Sequence, residues 1–240
     1  MSPKITRLEI EPIGYVHTSR RYRFEAPRQG VYAPGDAVIS LNPDQGYEVG
    51  LSELDGFSHI WVQFAFHLNE TWHPMVKPPV PGKVDEVGVF ASRSPHRPNR
   101  LGLSCVELVN IVGLDLHIRN HDLLDLTPVL DIKPYVPYYD SFPDASTGWL
   151  PEPPELFKVE FTSEADQAAT TVIDSGGPDL RSFCQVQLGC EPLNTERKKI
   201  KPEGSVDNRY IADCRGYKII WDIDKDKRIV RVLKVIPGNS

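Results

Sequence analysis

Several short stretches of the chain alternate apolar and polar residues. The clearest is SHIWVQFAFH at 58–67. There Ile60, Val62, Phe64 and Phe66 share one face, and His59, Trp61, Gln63, Ala65 and His67 share the other. A period of two predicts a strand with one face in a core. Similar stretches lie at 36–41, 86–92, 103–113 and 127–136, and 114–120 pairs back on its predecessor through Gly113. Residues 5–18 alternate imperfectly, and Pro12 and Gly14 suggest an edge or a bulge there. Helical signals are sparse in this half. SELDGF at 52–57 reads as one helical turn, with Ser52 as its cap and Gly56 as its stop. Many short strands with few helices predict a mainly β fold, a barrel or a sandwich.

The stretch at 141–156 is rich in Pro, Ser and Gly and reads as a linker. A strand at 157–162 follows it. A helix then starts at Ser163, with Asp166 three residues on, and a second helix covers 178–188 with Pro178 at its start. The chain ends as a hairpin, YKIIWDID and RIVRVLKVI joined at Lys225-Asp226-Lys227. Strands and helices after a linker predict a second, smaller α+β unit.

Charge narrows the function. The 240 residues carry 33 acids and 27 bases, a net charge of -6. That disfavours a protein that coats nucleic acid without selectivity, and leaves room for a local basic site. The four cysteines, Cys105, Cys184, Cys190 and Cys214, form no C-x-x-C. This pattern fits a reduced, cytoplasmic chain. No apolar run approaches the length of a membrane span, and the first residues lack the apolar core of a secretory signal. A metal site is not expected. His59 and His67 share a strand face but stand roughly 26 Å apart at about 3.3 Å per residue. His117 and His121 fall on strand and turn, not on a helix, and H-E-x-x-H is absent.

Three segments have the composition for chemistry. The first is Ser92-Arg93-Ser94-Pro95-His96-Arg97-Pro98-Asn99-Arg100-Leu101-Gly102-Leu103-Ser104. Its two prolines forbid a helix, so its arginines project from a stiffened loop suited to a carboxylate or phosphate. The second runs from Ser19 to Gly30 and interleaves Arg20, Arg21, Arg23 and Arg28 with Tyr22 and Phe24. Arginine with aromatics suits single-stranded RNA or a ligand clamp, or else a flexible basic loop. The third holds Asp122, Asp125 and Asp131 beside Thr127-Pro128. There Asp125 either receives a donor from a ligand or closes an Asx-turn. Walker A, G-x-S-x-G and a G-x-G-x-x-G after a strand are all absent. The residues alone therefore give an anion-binding β domain and no reaction.

The order of these segments resembles one family. Pro27-Arg28-Gln29, Gly56-Phe57-Ser58-His59-Ile60-Trp61, the run from Gly88 to Asn99, Asp131-Ile132-Lys133-Pro134-Tyr135 and Pro143-Asp144-Ala145 are similar to the TsaA/TrmO family. Strong resemblance covers about residues 8–146. It implies S-adenosylmethionine-dependent tRNA methyltransferases acting on the exocyclic nitrogen of N6-threonylcarbamoyladenosine beside the anticodon. It also implies a small, single-sheeted, non-Rossmann β-barrel over 1–146 that binds the cofactor. A smaller α+β C-terminal domain over 147–240 then contacts RNA or the active site, and the protein is a homodimer.

Carried over position by position, the resemblance assigns the cofactor to Pro27, Arg28, Gln29, His67, Leu68, Arg93, Leu103, Asp125, Leu126, Thr127 and Pro128. The family's D-G-T-P is here Asp125-Leu126-Thr127-Pro128, so leucine stands where glycine is usual. A position needing φ > 0 would be strained by that leucine. The family's R-P-N-P is here Arg97-Pro98-Asn99-Arg100, which adds a charge. The C-terminal D-P-R-P-A-Y run has its nearest match in Asp207-Asn208-Arg209-Tyr210-Ile211-Ala212, without the prolines. The threonylcarbamoyl carboxylate and the RNA phosphates require cations, for which Arg20, Arg21, Arg23, Arg97, Arg100 and Arg209 are the candidates. Asp125 is the candidate base. Two alternatives stand beside this reading. One is a non-catalytic module that binds S-adenosylmethionine or RNA, and the other is a methyltransferase for a different nucleotide substrate.

Overall fold

The structure is a computed structural model. It describes residues 8–32, 34–79, 85–150, 152–153, 155–194, 200–204 and 208–238. Contacts divide the chain into two units. The first comprises 1–18, 36–78 and 84–141, and the second 19–35, 79–83 and 142–240. The chain thus leaves the first unit after β1 (Gly14–His17) and returns to it at β2 (Asp36–Leu41).

The first unit continues with a short helix, α1 (Tyr47–Gly50), then β3 (His59–Ala65) and the two-residue strands β4 (Met75–Val76) and β5 (Val87–Gly88). A long strand, β6 (Leu101–Val112), leads through Gly113 into β7 (Asp115–Arg119). The unit closes with β8 (Pro128–Pro134) and α2 (Pro137–Asp140). Six of these strands form a closed antiparallel barrel in the order β1-β2-β7-β6-β3-β8, with β1 also paired to β8. Closure leaves no sheet edge exposed. The alternation seen in 58–67 is the reason the barrel has a core. Ile60, Val62 and Phe64 point inward to meet Val16, Ile39, Leu116, Ile118 and Val129.

The expected strand at 5–18 shortens to Gly14–His17, and the one at 86–92 shrinks to Val87–Gly88 followed by a 3₁₀ turn, Val89–Ala91. The expected helical turn lies at Leu54–Gly56, and its cap is Glu53 rather than Ser52. Gly102 faces Phe64 across β6 and β3, and a Cβ there would fall 2.3 Å from the phenyl ring. The aromatic ring therefore occupies the space a side chain would need.

The second unit holds β9 (Lys158–Phe161), α3 (Ser163–Asp174), α4 (Leu180–Leu188), β10 (Lys201–Pro202), β11 (Arg209–Cys214), β12 (Tyr217–Asp224) and β13 (Ile229–Pro237). Its sheet runs β10-β11-β12-β13-β9, with only the β13–β9 pair parallel among the described strands. α3 starts at Ser163 as expected but is capped by Thr162, and α4 starts at Leu180, two residues after the expected start at Pro178. The Thr162 hydroxyl accepts from the Ala165 N–H, and the Asp179 carboxylate accepts from that of Ser182. Both helices cover a core built around the fully buried Trp221. β11 falls on residues that the sequence reading treats only as a motif. No described helix is long and apolar enough to cross a membrane.

Candidate functional site

In the barrel the site starts at the turn that feeds β8. Thr127 N–H donates to the Leu124 carbonyl at 3.2 Å, which closes a tight turn through Asp125 and Leu126. Leu126 has φ 59, the left-handed conformation that glycine adopts freely and leucine does not. Two bonds to β1 hold it there. Leu126 N–H donates to the Val16 carbonyl at 2.7 Å, and Val16 N–H to the Thr127 carbonyl at 3.0 Å. The Asp125 carboxylate accepts from Thr18 N–H at 3.1 Å, so it faces the start of the chain's excursion from the barrel. Pro128 opens β8 and pairs with Tyr15.

His67 meets this turn from the other side. It lies just past β3, and its Nδ1 is 3.5 Å from the Thr127 hydroxyl. Burial pushes its pKa below the ordinary histidine value, with the Asp125 charge pulling the other way. The structure thus brings His67, Asp125 and Thr127 together. Leu68 is partly exposed beside them.

The arginine loop is tied to the segment that carries His67. Phe66 N–H donates to the Arg100 carbonyl at 2.8 Å, and Arg100 Nη1 donates to the Asn69 carbonyl at 3.3 Å. Asn69 is buried, and its side-chain amide lies 3.4 Å from His96 Nδ1. Arg97 turns inward and donates Nη1 to the carbonyls of Val89 and Ser92 at 3.1 and 2.9 Å. Its guanidinium also lies 5.8 Å from the Phe90 ring centroid. Arg97 braces the loop that carries it. Arg93 and Arg100 are exposed. Arg100 has φ 54, which proline, locked near -65°, cannot adopt, so the added charge comes with a different backbone path. Leu103 is exposed on β6 opposite Gln63.

The remaining predicted cofactor residues belong to the second unit. Pro27 is buried, Arg28 Nη2 pairs with Glu191 at 2.6 Å, and Gln29 Nε2 donates to the Arg28 carbonyl at 2.7 Å. The basic cluster beside them divides. Arg20 is 3% exposed, and its guanidinium donates to Ser182 Oγ at 2.7 Å and to the Pro34 carbonyl at 3.1 Å. It fits because Gly35 has no Cβ, which would lie 2.4 Å from that guanidinium. The expected RNA role of Arg20 is therefore corrected: a buried, fully engaged guanidinium cannot present charge to phosphate. Arg21 and Arg23 are exposed. Arg209, also exposed on β11, lines a cavity of about 230 Å³ with Glu164, Glu203 and Lys234. Asp207 lies outside the described residues.

Sequence reasoning passed over Glu25, Glu191 and Asn69. Glu25 is 3% exposed, accepts from the N–H groups of Arg21 and Tyr22 at 2.6 and 3.0 Å, and pairs with Arg215 at 3.3 Å. Its signal was an acid placed to reach back over its own turn, inside a run read for arginines and aromatics. Glu191 and Asn69 had no local signal, because their partners are distant in sequence. Among the described residues no group of three or more His, Cys, Asp or Glu is placed to hold a metal.

The segments around this geometry match a known sequence family. The model of the tRNA-methyltransferase O N-terminal domain matches residues 15–141, more than half of the chain. The chain belongs to the tRNA-methyltransferase O family. A tRNA (adenine(37)-N6)-methyltransferase of Escherichia coli is 34% identical over 202 residues, 81% of this chain and 86% of that protein. A putative S-adenosylmethionine-dependent methyltransferase, RcsF, of Pseudomonas aeruginosa is 40% identical over 234 residues, 96% of this chain and 98% of its own length. A crystal structure of TrmO superposes with a TM-score of 0.71 at 32% identity, covering 96% of this chain and all of that one. Likeness to tRNA-methyltransferase O therefore extends through both units. The barrel with its mixed-sheet companion is the fold of the family.

Proposed function

We propose that this protein transfers a methyl group from S-adenosylmethionine to the exocyclic N6 of adenosine 37 in tRNA, on the threonylcarbamoyl form of that base. The observation that carries this reading is the whole-length likeness to methyltransferases of the family.

The chain's own residues suit the cofactor. S-adenosylmethionine supplies an electrophilic methyl group on a sulfonium. Burial keeps the imidazole of His67 neutral at neutral pH, so it adds no second cation beside that sulfonium. The Thr127 hydroxyl beside His67 is a neutral polar group of the same turn. Arg93, exposed on its stiffened loop, suits the amino-acid carboxylate. Leu103 and Leu68 add exposed apolar surface, and Pro27, Arg28 and Gln29 are cofactor residues by their family positions. Asp125 is the base that takes the proton N6 must lose as it gains the methyl group. The barrel is the cofactor-binding part. Arg21, Arg23, Arg100 and Arg209 are the exposed cations for RNA and the threonylcarbamoyl carboxylate, while Arg97 contributes by holding its loop. The protein works in the cytoplasm as a homodimer, which light scattering at micromolar concentration would test.

Leu126 bears on the alternative of a binding module without turnover. It keeps the left-handed turn that the family's glycine suits. A strain of about 1–2 kcal/mol retained at one exposed position favours a preserved site.

The test uses radiolabelled methyl donor with tRNA from cells that make threonylcarbamoyladenosine and from cells that do not. Label entering only the modified tRNA is the expected result. Label entering both would move the reading to another acceptor, and cofactor binding without transfer would favour the module.

A further inference from the structure

The reading above gives no task to the aromatic residues between the arginines of 20–25. The rings of Tyr22 and Phe24 are parallel within 5°, with centroids 5.5 Å apart. Each is about half exposed, Tyr22 at 51% and Phe24 at 48%. Two large stacked rings facing water lose favourable burial. They are nevertheless firmly held. The edge of Phe24 meets the Phe183 ring of α4 at 6.2 Å, and the Phe24 carbonyl accepts from the Gln187 side chain. The buried Glu25 fixes the Arg21 and Tyr22 amides, and Arg215 reaches from Glu25 to within 5.7 Å of the Tyr22 ring centroid. Arg21 and Arg23 are exposed on either side of Tyr22.

We infer that Tyr22 and Phe24 form a stacking platform for an unpaired RNA base, with Arg21 and Arg23 taking the flanking phosphates. The inference rests on the tRNA reading above and deepens it. Charge complementarity selects the occupant. On a chain of net charge -6, exposed rings interleaved with exposed guanidiniums suit a polyanion with flat bases better than an apolar protein surface. The loop is organised before any ligand arrives, so binding loses little to ordering. Every base has a π face, so the platform grips a loop nucleotide without reading its identity and leaves recognition to the site that modifies the neighbour.

The test titrates anticodon stem-loop RNAs, each with 2-aminopurine at one loop position, against the full-length wild type and the variants Tyr22→Leu, Phe24→Leu, Tyr22→Phe and Arg23→Gln. Leucine keeps apolar bulk and removes the π face, whereas phenylalanine keeps the face. Fluorescence at one loop position should be quenched by the wild type and by Tyr22→Phe. Both leucine variants should lose that quenching and bind about tenfold more weakly, with an unchanged salt slope. Arg23→Gln should keep the quenching and lower the salt slope by about one. Cofactor affinity measured by calorimetry identifies any variant that has failed to fold. Leucine variants that fold and bind with unchanged affinity and quenching overturn the inference. So does a wild type that quenches no loop position. Methyl transfer to full-length tRNA is assayed in parallel. Quenching without transfer would remove the proposed reaction and leave the platform standing.

Discussion

In the loop at 92–104, Arg97 gives its guanidinium to the carbonyls of Val89 and Ser92, and Arg100 donates to that of Asn69. In the segment 19–35, buried Arg20 and half-buried Arg28 are engaged by Ser182 and Glu191, while Arg21 and Arg23 stay outside. Both segments read in sequence as arginine clusters. One braces itself chiefly against its own backbone and close neighbours, the other against residues about 160 positions away. A count of arginines therefore overstates the charge a segment presents. The difference is set by which carbonyls and carboxylates the fold brings within reach.

The largest effect is expected at Glu25. Its buried carboxylate receives two amides and the Arg215 guanidinium. Glu25→Ala should destabilise the second unit by about 3–5 kcal/mol, because Arg215 and both donors lose their partner. Denaturant unfolding would show this, and a shift below 1 kcal/mol would mean that other contacts hold the segment. Arg97→Met should cost about 1.5–3 kcal/mol by freeing the Val89 and Ser92 carbonyls. Weaker cofactor binding should accompany it, since the loop also carries Arg93. Unchanged calorimetric affinity would separate the brace from the site.

Leu126→Gly acts in the opposite direction. Relief of a left-handed leucine should raise stability by about 1 kcal/mol. A fall in melting temperature would show that the exposed leucyl side chain makes a contact worth more than the strain.

The smallest effect concerns pH. Unfolded His67 takes up a proton near 6.5, and in the fold burial lowers that value. The unfolded chain thus binds more protons below that pH, and the stability due to neutral His67 is lost as pH falls through 6.5. Methyl transfer should decline with an inflection below 6.5 that His67→Gln abolishes. An identical profile in the variant would assign the inflection elsewhere.

Much of the barrel was legible because its strands are locally periodic. Asp36–Leu41 matches the expected boundaries, and the inward faces of β3 follow its alternation. The terminal hairpin turned where its charged triplet suggested. The short strands β4 and β10 were not legible, since pairings of two residues leave no period to detect, and β5 was legible only as part of the longer strand expected at 86–92. β11 was hidden because its residues were read for chemistry. The candidate site was legible as residue types and family positions. Which cations point outward was not, because Arg20 depends on Ser182 and Arg28 on Glu191, and the chain itself gives no hint of either pairing.

The excursion of 19–35 has a consequence for the newly made chain. These residues leave the ribosome early, yet Ser182, Glu191 and Arg215, which receive them, are synthesised much later. At roughly 5–20 residues per second, Arg20 waits on the order of ten seconds or more for its partner to be made. During that interval the barrel can close around β1 and β2 while the segment between them hangs as an unfinished loop. A chain cut after the linker would keep the loop in that state permanently, with the Arg20, Glu25 and Arg28 side chains deprived of the groups that neutralise or bind them.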